Sequence, residues 1–304
     1  SLDKNKVSTL SKKVINNLLI NDLGFKGLVI TDALDMKAIV DFSKGDYPDV
    51  SALNAGNDLL LMPTDVAKSI KELKKAIQKN KISTKTLEKA VKKNLMAKYK
   101  SGLNNFKPIE TENIVEDLNQ DIDYALLDRL AEDSMTLVKN HNTNLPISIS
   151  DQKSIGYINM GDDSYNTFLK YLNKYSKVDH IYQNNKDSLI EISKNYDKVI
   201  VGLHKSDKSP FGEYKFTEDE ISIINDLKKL TDLTLVVFSK PYSIFDLNID
   251  DIQSILIAYQ NSTVFQEKAA QAIFGAIDVK GKLPVTINKD IPVNSSIKLK
   301  KKRF

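Results

Sequence analysis

Six short runs of branched and aromatic residues punctuate the second half of the chain: MTLVKN (135–140), KSIGYINM (153–160), VDHIYQ (178–183), KVIVGLH (198–204), LTLVVFS (233–239) and SILIAYQ (254–260). Several are apolar at both even and odd positions, as strands buried on both faces must be. Polar stretches with helical spacing separate most of them, at 164–175, 186–195, 217–230 and 262–274. Alternation of this kind restricts the chain to an α/β architecture, a parallel or mixed sheet covered by helices on both faces.

The first hundred residues follow the same rhythm with fewer strands. Leu10, Val14, Ile15, Leu18 and Leu19 share a helical face over 8–22, and Gly24 stands where a helix takes a left-handed end. GLVIT (27–31) reads as a strand buried on both faces. A polar stretch with Gly45 and Pro48 follows, then a helix over DVSALNAGN that Asp49 is expected to cap, and DLLLM (58–62) as a second doubly buried strand stopped by Pro63. Helical spacing returns at Val66, Ile70, Leu73 and Ile77. From Ser83 to Gly102 a basic amphipathic helix carries Leu87, Val91, Leu95 and Tyr99 at intervals of four. Two parallel strands cannot enclose a core, so these strand-helix units call for neighbours. Residues 106–120, with a proline and many charges, read as a linker, and a helix at about 121–134 leads into the second region.

Composition removes several function classes. The chain contains no cysteine, which excludes disulfides, thiolate metal sites and a cysteine nucleophile while leaving the compartment open between periplasmic or extracellular and cytoplasmic. The 44 basic and 40 acidic side chains are spread along the chain, so the net charge of +4 describes a solvated surface and no nucleic-acid partner is expected. The basic tail KLKKKRF (298–304) reads as a solvated end. Apolar runs are strand-sized, so no transmembrane helix is expected. The first ten residues, SLDKNKVSTL, lack the regions of a signal peptide. HKSDKSPFGEYKF (204–216) is polar and reads as a connection.

Within GLVITDALDMKA (27–38) a buried-type strand runs straight into Asp32. Asp32 could cap the following helix, with Thr31 as a second capping residue. It could also be a reagent, because α/β enzymes place reactive groups at the carboxyl ends of parallel strands. A phosphoryl-accepting aspartate is the weaker chemical alternative. The Lys240–Pro241 pair that it would need lies further away than a typical domain of about 100–150 residues.

Four stretches in order over nearly the whole chain resemble glycoside hydrolase family 3, and in particular its β-N-acetylglucosaminidase branch. LLINDLGFKGLVITDALDMKA (18–38) resembles the family's nucleophile signature, and AGNDLLLMP (55–63) its last barrel strand. SMTLVKN (134–140) with LPI (145–147) is similar to the first strand of the family's second domain, and FGAIDVKGKLPVTI (274–287) to the segment that closes it. The resemblance implies that residues 1–105 are the last strand-helix units of a (β/α)8 TIM barrel. It makes 106–133 a linker and connecting helix, and 134–304 an α/β sandwich domain with a mostly parallel sheet. It also implies that Asp32 is the nucleophile of a retaining hydrolase acting on β-N-acetylglucosaminides, with Met36 touching substrate, Asp35 nearby, and no metal or organic cofactor.

Such chemistry needs a second carboxyl or equivalent acid about 5–5.5 Å from the nucleophile. In the branch that the chain resembles, the acid is a histidine on a barrel loop, and no such loop is present here. His141, His180 and His204 all fall in the second region, in a polar turn, at a strand edge and at a strand end. Ile20 replaces the usual basic residue of the signature. The expected partners are therefore an N-acetylglucosamine-containing saccharide or cell-wall fragment and the N-terminal portion of the barrel, without which this chain should be inactive. The alternative is a non-catalytic carbohydrate-binding or structural module of a larger cell-envelope protein.

Overall fold

The computed structural model describes residues 2–43, 47–151, 153–162, 166–183, 185–206, 209 and 211–302. Gly45 of the expected polar turn, Asp207, Lys208 and Pro210 of the 204–216 connection, and Arg303 and Phe304 of the basic tail lie outside the described residues. The chain divides into two compact units, Ser1–Thr111 and Glu112–Phe304.

In the first unit the helical face expected over 8–22 is split. A 3₁₀ turn spans Ser8–Leu10 and a π-helix spans Lys13–Asp22. The break falls at Ser11, which is fully buried; its Oγ accepts the Val14 N–H at 3.3 Å and donates to Asp3 at 2.6 Å. Gly24 takes the expected left-handed conformation at φ 68°. Strand β1 (Ile30–Ala33) pairs in parallel with β2 (Leu59–Leu61), Ile30 opposite Leu59 and Ala33 opposite Leu61. Neither strand is buried on both faces among the described residues. Ile30 is 52% exposed and Leu61 41% exposed, because two strands cover only one side of each other with the helices that follow them.

Among the described residues, four α-helices, α1 (Lys37–Phe42), α2 (Pro48–Ala55), α3 (Val66–Gln78) and α4 (Thr84–Lys100), and a 3₁₀ turn at Leu103–Asn105 complete this unit. The expected Asp49 cap is not formed. Pro48, whose fixed φ suits a first helical residue and whose missing N–H costs nothing there, takes that position, and Asp49 falls inside the first turn. Gly56 ends α2 at φ 114°, and a Cβ on it would approach Ile20 Cδ1 to 3.2 Å. Asp65 and Ser83 cap α3 and α4 by accepting the N–H groups of Lys68 and Thr86. The stripes at intervals of four mark these helices but not wholly their inner faces. Leu73, Ile77 and Leu87 pack with buried Leu53, Ala76, Ile82 and Ala90, whereas Val91, Leu95 and Tyr99 are exposed.

The second unit opens with α5 (Ile114–Asp117) and α6 (Asp121–Ser134), the latter started by a reciprocal Gln120–Asp123 capping box. Strands β3 (Thr136–Asn140), β4 (Ile155–Gly161), β5 (Val178–His180), β6 (Lys198–His204), β7 (Asp232–Phe238) and β8 (Ser254–Ile257) form one sheet in the order β3-β8-β7-β6-β4-β5. Five run parallel, and β3 lies antiparallel along β8 at one edge, which makes the sheet mixed. Helices α7 (Thr167–Leu172), α8 (Lys186–Ser193), α9 (Glu218–Leu227) and α10 (Thr263–Phe274) follow β4, β5, β6 and β8, and a 3₁₀ turn (Pro241–Ile244) follows β7.

Every residue of β6 is buried. Its alternate side chains enter two different cores: Ile200 joins Tyr157, Phe168, Phe238 and Phe274, while Val199, Val201 and Leu203 join Ile158, Leu235 and Val237. Lys268 on α10 reaches Asp128 at 2.8 Å and Glu132 at 3.5 Å on α6. Burial opposes its charge, and the two carboxylates outweigh that effect and raise its pKa. The glycine of KGKLP is required by close approach: a Cβ on Gly281 would stand 2.5 Å from Thr136 Oγ1 and 2.6 Å from the Met135 carbonyl oxygen. Among the described residues, no helix is long and apolar enough to cross a membrane.

Candidate active site

Asp32 is the third residue of β1, and its side chain is exposed. Its Oδ1 accepts the N–H of Ala33 at 2.8 Å, the one hydrogen bond that its carboxylate makes among the described residues. It caps no helix. Helix α1 starts at Lys37 behind Met36, and no side chain bonds its first turn. Thr31 is no cap either. It is 4% exposed, and its Oγ1 accepts the N–H of Leu61 at 2.9 Å, tying β1 to β2 beside Asp32. The buried residues Val29, Thr31 and Leu34 hold the backbone on both sides of the aspartate, and the Leu34 N–H donates to the Leu61 carbonyl at 3.0 Å.

A second aspartate, which sequence reasoning passed over, locks the start of this strand. Asp58 Oδ2 accepts the Val29 N–H at 2.9 Å and the Lys93 ammonium at 2.7 Å, and its side chain is 5% exposed. Lys93 also donates to the Gly27 carbonyl at 2.8 Å. Asn94 joins the Asp58 and Ala90 carbonyls at 2.7 and 2.9 Å. One turn of α4 thus clamps the entry to both strands. A buried pair of this kind is costly to break, because removing one partner strands the other charge. The available signal was the acid of GNDLLLM directly before the strand, together with a Lys-Asn pair on the next long helix.

The edge carrying Asp32 is apolar around the carboxylate. Ile30, Met36, Leu61 and Met62 are all at least 41% exposed, and Asp35 is exposed as well. Met62 follows β2 at φ 46°, a backbone conformation that a non-glycine residue rarely adopts. A carboxylate with one oxygen tied to its own backbone and free lone pairs, held by a stiff strand, can serve as a nucleophile or accept hydroxyl hydrogen bonds.

All three histidines lie in the other unit. His141 starts a 3₁₀ turn, and His180 closes β5, where its Nε2 lies 3.0 Å from Asn159 Oδ1. His204 closes β6, fully buried, with Nε2 2.8 Å from the Tyr157 hydroxyl and Nδ1 2.7 Å from Asn261 Oδ1. The Asn261 amide is oriented by its donation to the Asp162 carbonyl at 2.8 Å, and its oxygen also accepts from Gln266. His204 Nδ1 must therefore carry a proton. Among the described residues, no group of three or more metal-ligating side chains gathers in either unit.

The Glycosyl hydrolase family 3 N terminal domain profile matches residues 1–96, and the C-terminal domain profile of the same family matches residues 135–302. A β-xylosidase of Formosa agariphila is 25% identical over 91% of this chain, which spans 45% of that relative's length. A family 3 β-N-acetylglucosaminidase structure from Paenibacillus sp. is similar over 94% of this chain and 56% of its own, with a TM-score of 0.66 and 22% identity. A β-glucosidase structure from Listeria innocua is similar over 94% of this chain and 44% of its own, with a TM-score of 0.76 and 18% identity. At such identities the two structures speak for the fold alone. The profiles together span both units in order, and the chain belongs to glycosyl hydrolase family 3.

Proposed function

We propose that this chain is the nucleophile-bearing portion of a retaining β-glycosidase, with Asp32 attacking the anomeric carbon. The observation that carries the reading is Asp32 itself, an exposed carboxylate at the end of a strand whose backbone is fixed by Val29, Thr31 and Asp58 and whose lone pairs are not consumed by capping. Attack would form a glycosyl ester, and water would release the sugar with retained configuration. Residues 1–105 would be the last units of a TIM-type barrel and 134–304 the sandwich domain, joined through 106–133. Met36, 46% exposed beside the carboxylate's strand, would line the glycone site.

The preferred substrate class is β-N-acetylglucosaminides, including cell-wall fragments, on the strength of the resemblance of residues 18–38 and 55–63 to that branch. Relatives named for xylosidase and glucosidase activity make xylosides and glucosides the competing substrates. The chain spans 45% of the β-xylosidase relative's length and 56% of the Paenibacillus structure's, so the general acid and the contacts orienting the sugar are assigned to the rest of a longer barrel. A missing general acid lowers the rate by about 10²–10⁴-fold. Aryl β-N-acetylglucosaminide, β-xyloside and β-glucoside hydrolysis by the intact protein and by the 304-residue chain tests the proposal. The intact protein should prefer the first substrate and the chain alone should be near background. Preference for a xyloside or glucoside would replace the substrate class while leaving the nucleophile assignment standing.

A further inference from the structure

The basic tail that reads as a solvated end is tied to the second unit as far as Lys302. Leu299 and Val279 exchange backbone hydrogen bonds at 3.0 and 2.9 Å, the Lys301 N–H donates to Asp278 Oδ1 at 2.8 Å, and the Lys302 N–H donates to the Gly275 carbonyl at 2.8 Å. These bonds set Lys302 at the side of a cavity of about 310 Å³ by the amino ends of β6 and β7.

The turn after β3 supplies another side. Asn140 fixes it by accepting the Leu145 N–H and donating to the Leu145 carbonyl, both at 2.9 Å, and His141, Asn142 and Thr143 line the cavity from there. The innermost charge is Lys198, whose side chain is 7% exposed. Its ammonium donates to Asn144 Oδ1 and, at 3.3 Å, to Asp232 Oδ2, so the single acid among the lining residues already faces a cation. Lys153 and Lys302 line the same cavity with exposed side chains and make no ion pair among the described residues. Lys302 Nζ reaches only the Pro146 carbonyl, at 3.5 Å, and the His141 ring makes no hydrogen bond there.

We infer that this cavity binds a phosphate monoester of a small polyol, of the sugar-phosphate class, with the phosphate held by Lys153, Lys302 and His141. Three lysines against one aspartate leave two positive charges in the lining, which match a phosphate carrying about −1.5 to −2 and three acceptor oxygens. A carboxylate would answer only one of them. A neutral sugar would answer neither, and a divalent cation would meet two ammoniums and one carboxylate that is already paired. The remaining lining is polar and suits the hydroxyls of the esterified group: Asp232, half exposed, accepts them, and Gln253, Asn142 and Ser148 offer uncharged partners. The volume stands at the small end of the roughly 300–1,000 Å³ of ligand sites, enough for one ring and its phosphate.

Calorimetric titration of the 304-residue chain with glucose 6-phosphate, inorganic phosphate and glucose tests the inference, using Lys153→Ala, Lys302→Ala and, as a control in the other unit, Lys79→Ala. Saturable millimolar or tighter binding of glucose 6-phosphate is expected, with inorganic phosphate weaker and glucose not bound. Each of Lys153→Ala and Lys302→Ala should weaken it about fivefold or more, and Lys79→Ala should leave it unchanged. Neither cavity variant should melt lower than the parent without ligand, since each removes an exposed ammonium that no carboxylate answers. Glucose 6-phosphate should raise the melting temperature of the parent but not that of the Lys153→Ala/Lys302→Ala double variant. Absence of saturable binding, binding that survives the double variant, or equal weakening by Lys79→Ala would overturn the site. Glucose binding as tightly as its phosphate, or inorganic phosphate binding as tightly as glucose 6-phosphate, would overturn the ligand class.

Discussion

The two sheets of this chain solve the same problem to different degrees. The six-stranded sheet of the second unit buries β6 along its full length and feeds two cores from alternate residues of one strand. The two-stranded sheet of the first unit buries Val29 and Thr31 but leaves Ile30, Leu61 and Met62 open at the edge that bears Asp32. Structure in the second unit is held by volume filling; in the first it is held by a few polar ties, chiefly Asp58–Lys93 and Thr31–Leu61. Stability should therefore depend on aliphatic and aromatic bulk in one region and on named hydrogen bonds in the other.

The sharpest contrast comes from truncating a side chain in each. Phe238, fully buried and 4.5 Å from His204 and 4.8 Å from Phe168 by ring centroids, should cost about 3–5 kcal/mol as Phe238→Ala. Leu61→Ala on the open edge should cost about 0.5 kcal/mol or less. Urea unfolding followed separately in each unit by hydrogen exchange reads both, and equal costs would erase the distinction. Next in size is Lys93→Met, which strands the Asp58 carboxylate. It should destabilise the first unit by about 3 kcal/mol and raise exchange at the Val29 amide, with the second unit unaffected. Thr31→Val keeps the shape but leaves the Leu61 N–H without its acceptor, an effect of about 1–2 kcal/mol visible as faster exchange at Leu61.

The smallest effect is one of pH and belongs to the second unit. Asp197 accepts the Ser154 backbone N–H and hydroxyl, both at 2.8 Å, and these bonds hold its carboxyl below the ordinary value of 3.8. A depressed carboxyl contributes stability that is complete above its unfolded value and is lost as pH falls through the folded one. Ser154→Ala removes one of the two donors, so acid unfolding monitored by circular dichroism should begin at slightly higher pH. An unchanged acid limb would show that the hydroxyl bond is not what holds this carboxyl down.

The same contrast explains what was legible in the sequence. Strands β4, β6, β7 and β8 declare themselves because burial on both faces demands unbroken apolar runs, and the helices between them show their spacing. In the first unit the helices were legible but not all of their inward-facing residues. On α4 the inner contacts are made largely by Ala90, Lys93 and Asn94, small or polar residues that a search for aliphatic spacing discards. Asp49 does not cap α2, because Pro48 takes the first helical position and leaves Asp49 inside the first turn. The break at Ser11 follows from one serine bonding sideways, which no periodicity encodes. Asp32 was legible as a strand-end carboxylate, and the clamp that holds it was not, since Asp58 and Lys93 meet across 35 residues of chain.

The central claim is that Asp32 forms a covalent bond to sugar. Incubating the intact protein with a fluorinated, slowly released N-acetylglucosaminide and digesting it for mass spectrometry tests this directly. The label should sit on the peptide containing Asp32, and Asp32→Asn should abolish both labelling and turnover, the latter by about 10³-fold or more. A label on another carboxylate, or turnover that survives Asp32→Asn, would contradict the account.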